Sequence, residues 1–144
     1  MFEGDLQPGF FVESTGKVYR EEDSIQNPYE DCICVVKRVT TPSANIIGVC
    51  TEILDKEITD QYGTVIQKEG KYCKFATHGN CLIKYESATY TYGDIIVPST
   101  NGYGKKGSST DVLNCMLSMT PRLKVTSVDT DEIDPQCVVG FITV

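Results

Sequence analysis

Few side chains in this chain could do acid–base or nucleophilic work, and their spacing suits it poorly. There is one histidine, His78, with Cys73 and Cys81 on either side of it. A thiol–imidazole dyad needs the two groups within hydrogen-bond reach and the base oriented by a third group. His78-Gly79-Asn80 reads instead as a polar hairpin turn between two short strands, so His78 is expected to be structural, with the dyad as the alternative. Cys32-Ile33-Cys34 would send its two thiols to opposite faces of a strand, a poor chelate. Cys73 and Cys81 could meet across the hairpin, but a structural zinc site needs two further ligands, and no CxxC knuckle is present. A disulfide between them would require an oxidising compartment. The carboxylate runs Glu21-Glu22-Asp23 and Asp129-Thr130-Asp131-Glu132-Ile133-Asp134 lack the glycine and distal glutamate of a calcium loop, and Pro135 ends the second. Both read as solvated acidic loops. The glycine-rich stretch from Asn101 to Thr110 misses the GxxxxGK[ST] spacing of a phosphate loop. Lys105-Lys106 within it reads as a solvated turn. No catalytic residue, metal site or cofactor is expected, and any binding residues are left unassigned. Tyr85, Tyr90 and Tyr92 could form an aromatic platform for a carbohydrate, with sheet packing as the plainer reading.

Seven cysteines in 144 residues leave at least one unpaired. Met1-Phe2-Glu3-Gly4-Asp5 lacks the basic and apolar segments of an export signal, so a reduced state is preferred. Cys34, Cys50, Cys115 and Cys137 adjoin apolar residues and are expected to be small buried hydrophobes. The net charge of −7 argues against nucleic acid, which demands a clustered positive surface. The apolar runs, such as Ile95-Ile96-Val97, are too short to cross a bilayer. Met1 opens directly into structured-looking sequence, as an excised domain would.

A hydrophobic fraction of 40% supports a real core, and the length fits one domain over residues 1–144. Short β-branched and aromatic runs closed by Gly, Pro, Asn and Asp predict an all-β fold, a compact mixed β-sandwich or barrel of short strands. Strands are expected over 9–13, 17–19, 33–40, 46–54, 63–68, 72–78, 81–84, 95–98, 116–128 and 138–144. Ser14-Thr15-Gly16 reads as a hairpin turn. At most one short helix is expected, around Asp111 to Leu117.

An approximate internal duplication organises the chain. Gly4-Asp5-Leu6-Gln7-Pro8 opens the first half and Gly93-Asp94-Ile95-Ile96-Val97-Pro98 the second. Each half carries a glycine turn (Gly16; Gly102 and Gly104), a Thr-Pro step (Thr41-Pro42; Thr120-Pro121) and an apolar-Gly-apolar strand around Gly48 and Gly140. Two related halves, about 1–60 and 90–144, would flank an inserted hairpin region at about 61–89. Gly4, Asp5, Pro8, Gly48, Gly93, Asp94, Pro98, Gly102, Gly104 and Gly140 form the resulting structural motif. Gly-Asp favours a turn, and a glycine inside a strand marks a bulge or a close backbone approach.

Gly93-Asp94-Ile95-Ile96-Val97-Pro98-Ser99 with Gly102-Tyr103-Gly104-Lys105-Lys106 resembles the C-terminal intramolecular-chaperone (peptidase G2-like) domain of phage appendage and fibre proteins. Met1 to Asp5, Pro8 to Val12, Gly16-Lys17 and Ile47-Gly48-Val49 resemble the start and middle of that domain. Related β-rich modules occur in other viral structural proteins. The resemblance implies an assembly module of a viral particle or fibre that promotes homo-oligomerisation, a trimer in the fibre case, with other viral structural proteins as partners. A virion or host-cytoplasm location follows, and the cysteine content favours a reducing cytoplasm. The alternatives are a self-cleaving chaperone-type peptidase domain, for which no scissile bond is expected ahead of Met1, and a ligand- or carbohydrate-binding β domain.

Overall fold

A computed structural model describes residues 1–19, 33–54, 58–59, 61–63, 65–67, 72–86, 89–128 and 137–143. In chain order the strands are β1 (Phe2–Glu3), β2 (Phe11–Tyr19), β3 (Ile33–Arg38), β4 (Ile46–Leu54), β5 (Ile58–Thr59), β6 (Val65–Gln67), β7 (Tyr72–Ala76) and β8 (Gly79–Lys84). They continue with β9 (Ile95–Pro98), β10 (Gly104–Lys106), β11 (Arg122–Ser127) and β12 (Cys137–Thr143), and one helix, α1 (Ser109–Ser118), precedes β11.

The fold is all-β. Two five-stranded sheets run β1-β3-β2-β4-β7 and β10-β9-β11-β12-β8, and β5 and β6 form a separate ribbon. Sheet 1 is mixed, because β1 pairs parallel to β3, whereas β2, β3, β4 and β7 pair antiparallel. The sheets share a core of Phe11, Ile46 and Val49 from the first and Ile83, Ile96, Leu123, Val125, Val138 and Ile142 from the second. Each fully buried aliphatic or aromatic side chain there contributes about 1.5–3 kcal/mol of transfer free energy. Sheet 1 also buries its other face. Val12, Val36 and Cys50 pack there with Phe2, Leu6 and Phe10 in a second apolar cluster. Alternation along β2 explains both faces, since Phe11 points into one cluster and Val12 into the other.

The structure corrects several sequence expectations. Ser14-Thr15-Gly16 does not turn a hairpin. β2 runs through it as one strand, with a register shift against β3 between Ser14 and Val18. Gly16 takes φ +76°, and its N–H and that of Lys17 are held by the Ser14 and Thr15 hydroxyls. This is a bulge, in which one strand absorbs extra residues without reversing. His78-Gly79 likewise closes no hairpin. β7 belongs to sheet 1 and β8 to sheet 2, so Thr77-His78 carries the chain from one sheet to the other. The strand expected over 116–128 is shorter, because Met116 to Ser118 complete α1. Ser108 and Asp111 form a reciprocal capping box at its start, and Met119 ends it at φ +55°. Lys105-Lys106 lies in β10, paired to β9.

The two Gly-punctuated halves are divided between the sheets, and β7 and β8 supply one strand to each. Gly48 in β4 and Gly140 in β12 both sit one strand in from those bridging strands. The opening motifs are placed differently: Gly4-Asp5 precedes the central strand β2, whereas Gly93-Asp94 leads directly into β9.

Gly48 has no room for a side chain, because a Cβ there would collide with the Ala76 carbonyl oxygen and meet the Phe75 ring at 2.9 Å. Gly48→Ala is therefore expected to cost about 1–3 kcal/mol through overpacking. A fall in the urea midpoint at unchanged m-value would show it.

Candidate functional site

The glycine motif residues prove to be positioning elements. Gly93 takes φ +90°, and the Asp94 carboxylate accepts a hydrogen bond from the Thr91 N–H at 2.9 Å and pairs with Lys106 Nζ at 3.2 Å. The Thr91 hydrogen bond, with Lys106 beside it, holds the Asp94 carboxyl below its ordinary range. Gly102, at φ +79°, lets the backbone pass against Phe10 and Arg38, where a Cβ would meet their side chains at 3.2 and 3.0 Å. Gly104 lies against Ile96 and Ile83, and Gly140 against Leu123, where a Cβ would sit 2.8 Å from its Cβ. Pro98 is buried at the end of β9, while Pro8 and Gly4 are exposed.

Around Gly102 the sequence assembles an unforeseen cation site. The Arg38 guanidinium lies 3.7 Å from the Phe10 ring centroid and 5.5 Å from that of Tyr103. Its Nε donates to the Asn101 carbonyl, and Asp5 approaches at 4.0 Å. Stacked and hydrogen-bonded in this way, Arg38 acts as a clamp between β3 and the Thr100–Gly102 turn. An open groove of about 580 Å³ runs beside it, lined by Glu3, Asp5, Lys37, Thr40, Asn101 and Tyr103. No local sequence signal announced this cluster, because Phe10, Arg38 and Tyr103 are far apart in the chain.

The chemistry-bearing residues of the sequence are dispersed. His78 is exposed, its ring edge-on to Phe141 at 5.0 Å. Cys81 is buried in the inter-sheet core, where burial pushes its thiol up to about 11 and disfavours the nucleophilic thiolate. Cys73 does not face Cys81 across a turn. It packs on the other face of sheet 1, in contact with Cys50. Cys50 and Cys115 are buried as expected, but Cys34 is exposed. The correction follows from register. Cys34 pairs with Val18 beyond the bulge, at the end of β2 that leaves the core, where Val18 is also exposed. Tyr85 and Tyr90 stack edge-to-face at 4.5 Å, and Tyr90 is buried with its hydroxyl pushed up to about 12, chiefly by burial. Of the three tyrosines offered as a platform, only Tyr92 is strongly exposed. Cys32, the side chain of Cys137, Glu21-Glu22-Asp23 and Asp129 to Asp134 lie outside the described residues. Among the described residues no three His, Cys, Asp or Glu side chains converge as metal ligands. Nor is any helix there long and apolar enough to cross a membrane.

Two surfaces remain distinctive. The first is α1, which rests against β9 and buries Cys115. Its outer side presents Leu113, Met116 and Leu117 at helical i, i+3, i+4 spacing, continued by Met119, with 54%, 55%, 76% and 73% exposure. The capping box Ser108-x-x-Asp111 and this spacing were the signals that could have revealed it. The second is the outer face of sheet 2. Register aligns Ile95, Lys124, Phe141 and Asn80 across β9, β11, β12 and β8. Together with Arg122, Thr126 and Tyr92 they line a groove of about 460 Å³. Comparison with protein-family models, curated proteins and solved structures gives no match.

The helix depends on its cap, because the Ser108 hydroxyl accepts from the Asp111 N–H at 3.2 Å while Asp111 accepts from the Ser108 N–H at 3.0 Å. Ser108→Ala is expected to cost about 1 kcal/mol, read as lost stability in chemical denaturation. The hydrogen bonds from Ser108 hold the Asp111 carboxyl below its ordinary range. Its stabilising contribution is therefore present above the ordinary carboxylate pKa and is lost as pH falls through the depressed one. Asp111→Asn should flatten that acid-side decline.

Proposed function

We propose that this domain is a structural assembly module that joins copies of itself through the outer side of α1. The carrying observation is the contiguous ridge of Leu113, Met116, Leu117 and Met119 on a well-capped helix. A chain with net charge −7 repels its own copies except where a surface carries no charge. The helix meets that condition. Asp111 is its one ionisable carboxylate, and the cap engages it. Methionine and leucine pack adaptably, which suits a contact between identical surfaces related by symmetry. The viral particle or fibre as the setting, and a trimer as the assembly, rest on the resemblance of Gly93 to Lys106 to the phage appendage domain. The alternative of self-cleavage would draw on a carboxylate or a hydroxyl near a processing site, and Ser99 with Glu86 is one such hydrogen-bonded pair among the described residues. Light scattering behind size exclusion should give a mass that is a multiple of the protomer, and Leu117→Glu with Met116→Glu should return it to one protomer without loss of fold. A wild-type monomer at high concentration overturns the reading.

The outer face of sheet 2 favours a second reading, a saccharide-binding surface. Phe141 backed by His78 and the exposed Tyr92 offer ring faces, Asn80 and Thr126 offer amide and hydroxyl groups, and Arg122 and Lys124 add positive charge. That mixture fits an acidic glycan. Binding on a glycan array, abolished by Phe141→Ala at unchanged oligomeric mass, would support it; an array without signal removes it.

A further inference from the structure

The outer face of sheet 1 carries a matched pair of cysteines whose placement follows from one irregularity in the backbone. β4 pairs antiparallel with β7 with Cys50 opposite Phe75, Glu52 opposite Lys74 and Ile53 opposite Cys73. Thr51 is the extra residue, and its hydroxyl donates to the Lys74 carbonyl. In a regular strand, positions 50 and 53, three residues apart, would point to opposite faces of the sheet, because strand side chains alternate. With the extra residue, Cys50 and Ile53 both point into the second apolar cluster, where Cys73 and Phe75 of β7 also pack. Cys50 and Cys73 therefore become diagonal neighbours on one face of the strand pair, packed in the same apolar cluster.

The two thiols are not equivalent. Cys50 is fully buried and its sulfur also lies near the Glu52 carbonyl, whereas Cys73 is half-buried on the edge strand β7. The neighbouring Cys50 holds the Cys73 thiol below its ordinary range, while contact with Cys73 and burial hold the Cys50 thiol up. A half-buried thiol on an edge strand beside a fully buried one is the arrangement of an attacking and a resolving cysteine.

We propose that Cys50 and Cys73 are a redox modification site that closes to an intramolecular disulfide when the protein meets a peroxide. The Cys73 thiolate attacks one peroxide oxygen, the O–O bond breaks, and hydroxide leaves, giving a sulfenic acid at Cys73. The Cys50 sulfur then displaces the sulfenic oxygen, its thiol proton leaves with that oxygen as water, and the S–S bond forms. Two thiols are oxidised by two electrons and one peroxide is reduced. The product staples the edge strand β7 to β4 and so fixes the strand from which the chain crosses to sheet 2. This inference is independent of the assembly reading.

The test uses the full chain with hydrogen peroxide, followed by alkylation of the remaining thiols and non-reducing peptide mapping. A Cys34→Ser background removes the exposed thiol that could join chains. The expected result is a linked peptide pair carrying Cys50 and Cys73, loss of two alkylatable thiols, and recovery of both with dithiothreitol. Cys81 and Cys115, buried apart, should stay alkylatable after unfolding. Cys73→Ser should abolish the link. If that variant does not fold, the peptide map of oxidised wild type still decides, because the linked pair is read there without any substitution at Cys73. Absence of the 50–73 peptide from oxidised wild type, or over-oxidation of Cys73 without a link, overturns the proposal.

Discussion

Sheet 1 buries both of its faces, whereas sheet 2 buries its outer face only near β9, where Val97 is covered and α1 rests, and much of the architecture follows from that inequality. Phe11, Ile46 and Val49 face the partner sheet, while Val12, Val36 and Cys50 face away and would meet water without cover. Phe2, Leu6 and Phe10 enter that second cluster, which explains why the opening residues pack closely and why β1 joins the sheet in parallel, an arrangement suited to buried strands. The same covering makes a dry environment for Cys50. Sheet 2, freed from a second burial away from β9, can carry Lys124, Thr126 and Phe141 on its outer face.

The period-two pattern of apolar residues made the β class and most strand positions legible, because alternation is imposed locally and survives any tertiary context. What escaped the sequence was non-local or depended on counting residues. A bulge and a hairpin turn use the same residue types, and Ser14-Thr15-Gly16 contains nothing to say whether the chain reverses after it. Whether β7 and β8 pair with each other or with β4 and β12 is likewise decided by competing partners elsewhere. The Thr51 bulge that sets Cys50 beside Cys73 cannot be seen without knowing the partner strand. The one short helix expected around Asp111 to Leu117 is α1, whose capping box stood in the sequence, and only its last turn was given to the strand that follows.

Among the described residues, ionisable groups mostly serve as fasteners: Asp94 ties the Thr91 turn to Lys106, Lys37 pairs with the buried Glu13, and Arg38 is held by stacking and a backbone carbonyl. Glu86 receives the Ser99 hydroxyl in the same spirit. Groups committed to such links hold the surface in a fixed shape.

The position of β12 between β11 and β8 also sets a timetable for synthesis. When β8 leaves the ribosome, β12, its ladder partner among the described strands, has not yet been made, and β9, β10, α1 and β11 must all emerge first. Until then the β12-facing edge of β8 is unpaired, the kind of edge that invites a neighbouring chain. Nascent copies crowded on one message are thus most exposed to mispairing in that interval, and the arrival of β12 ends it by occupying the vacancy from within the same chain.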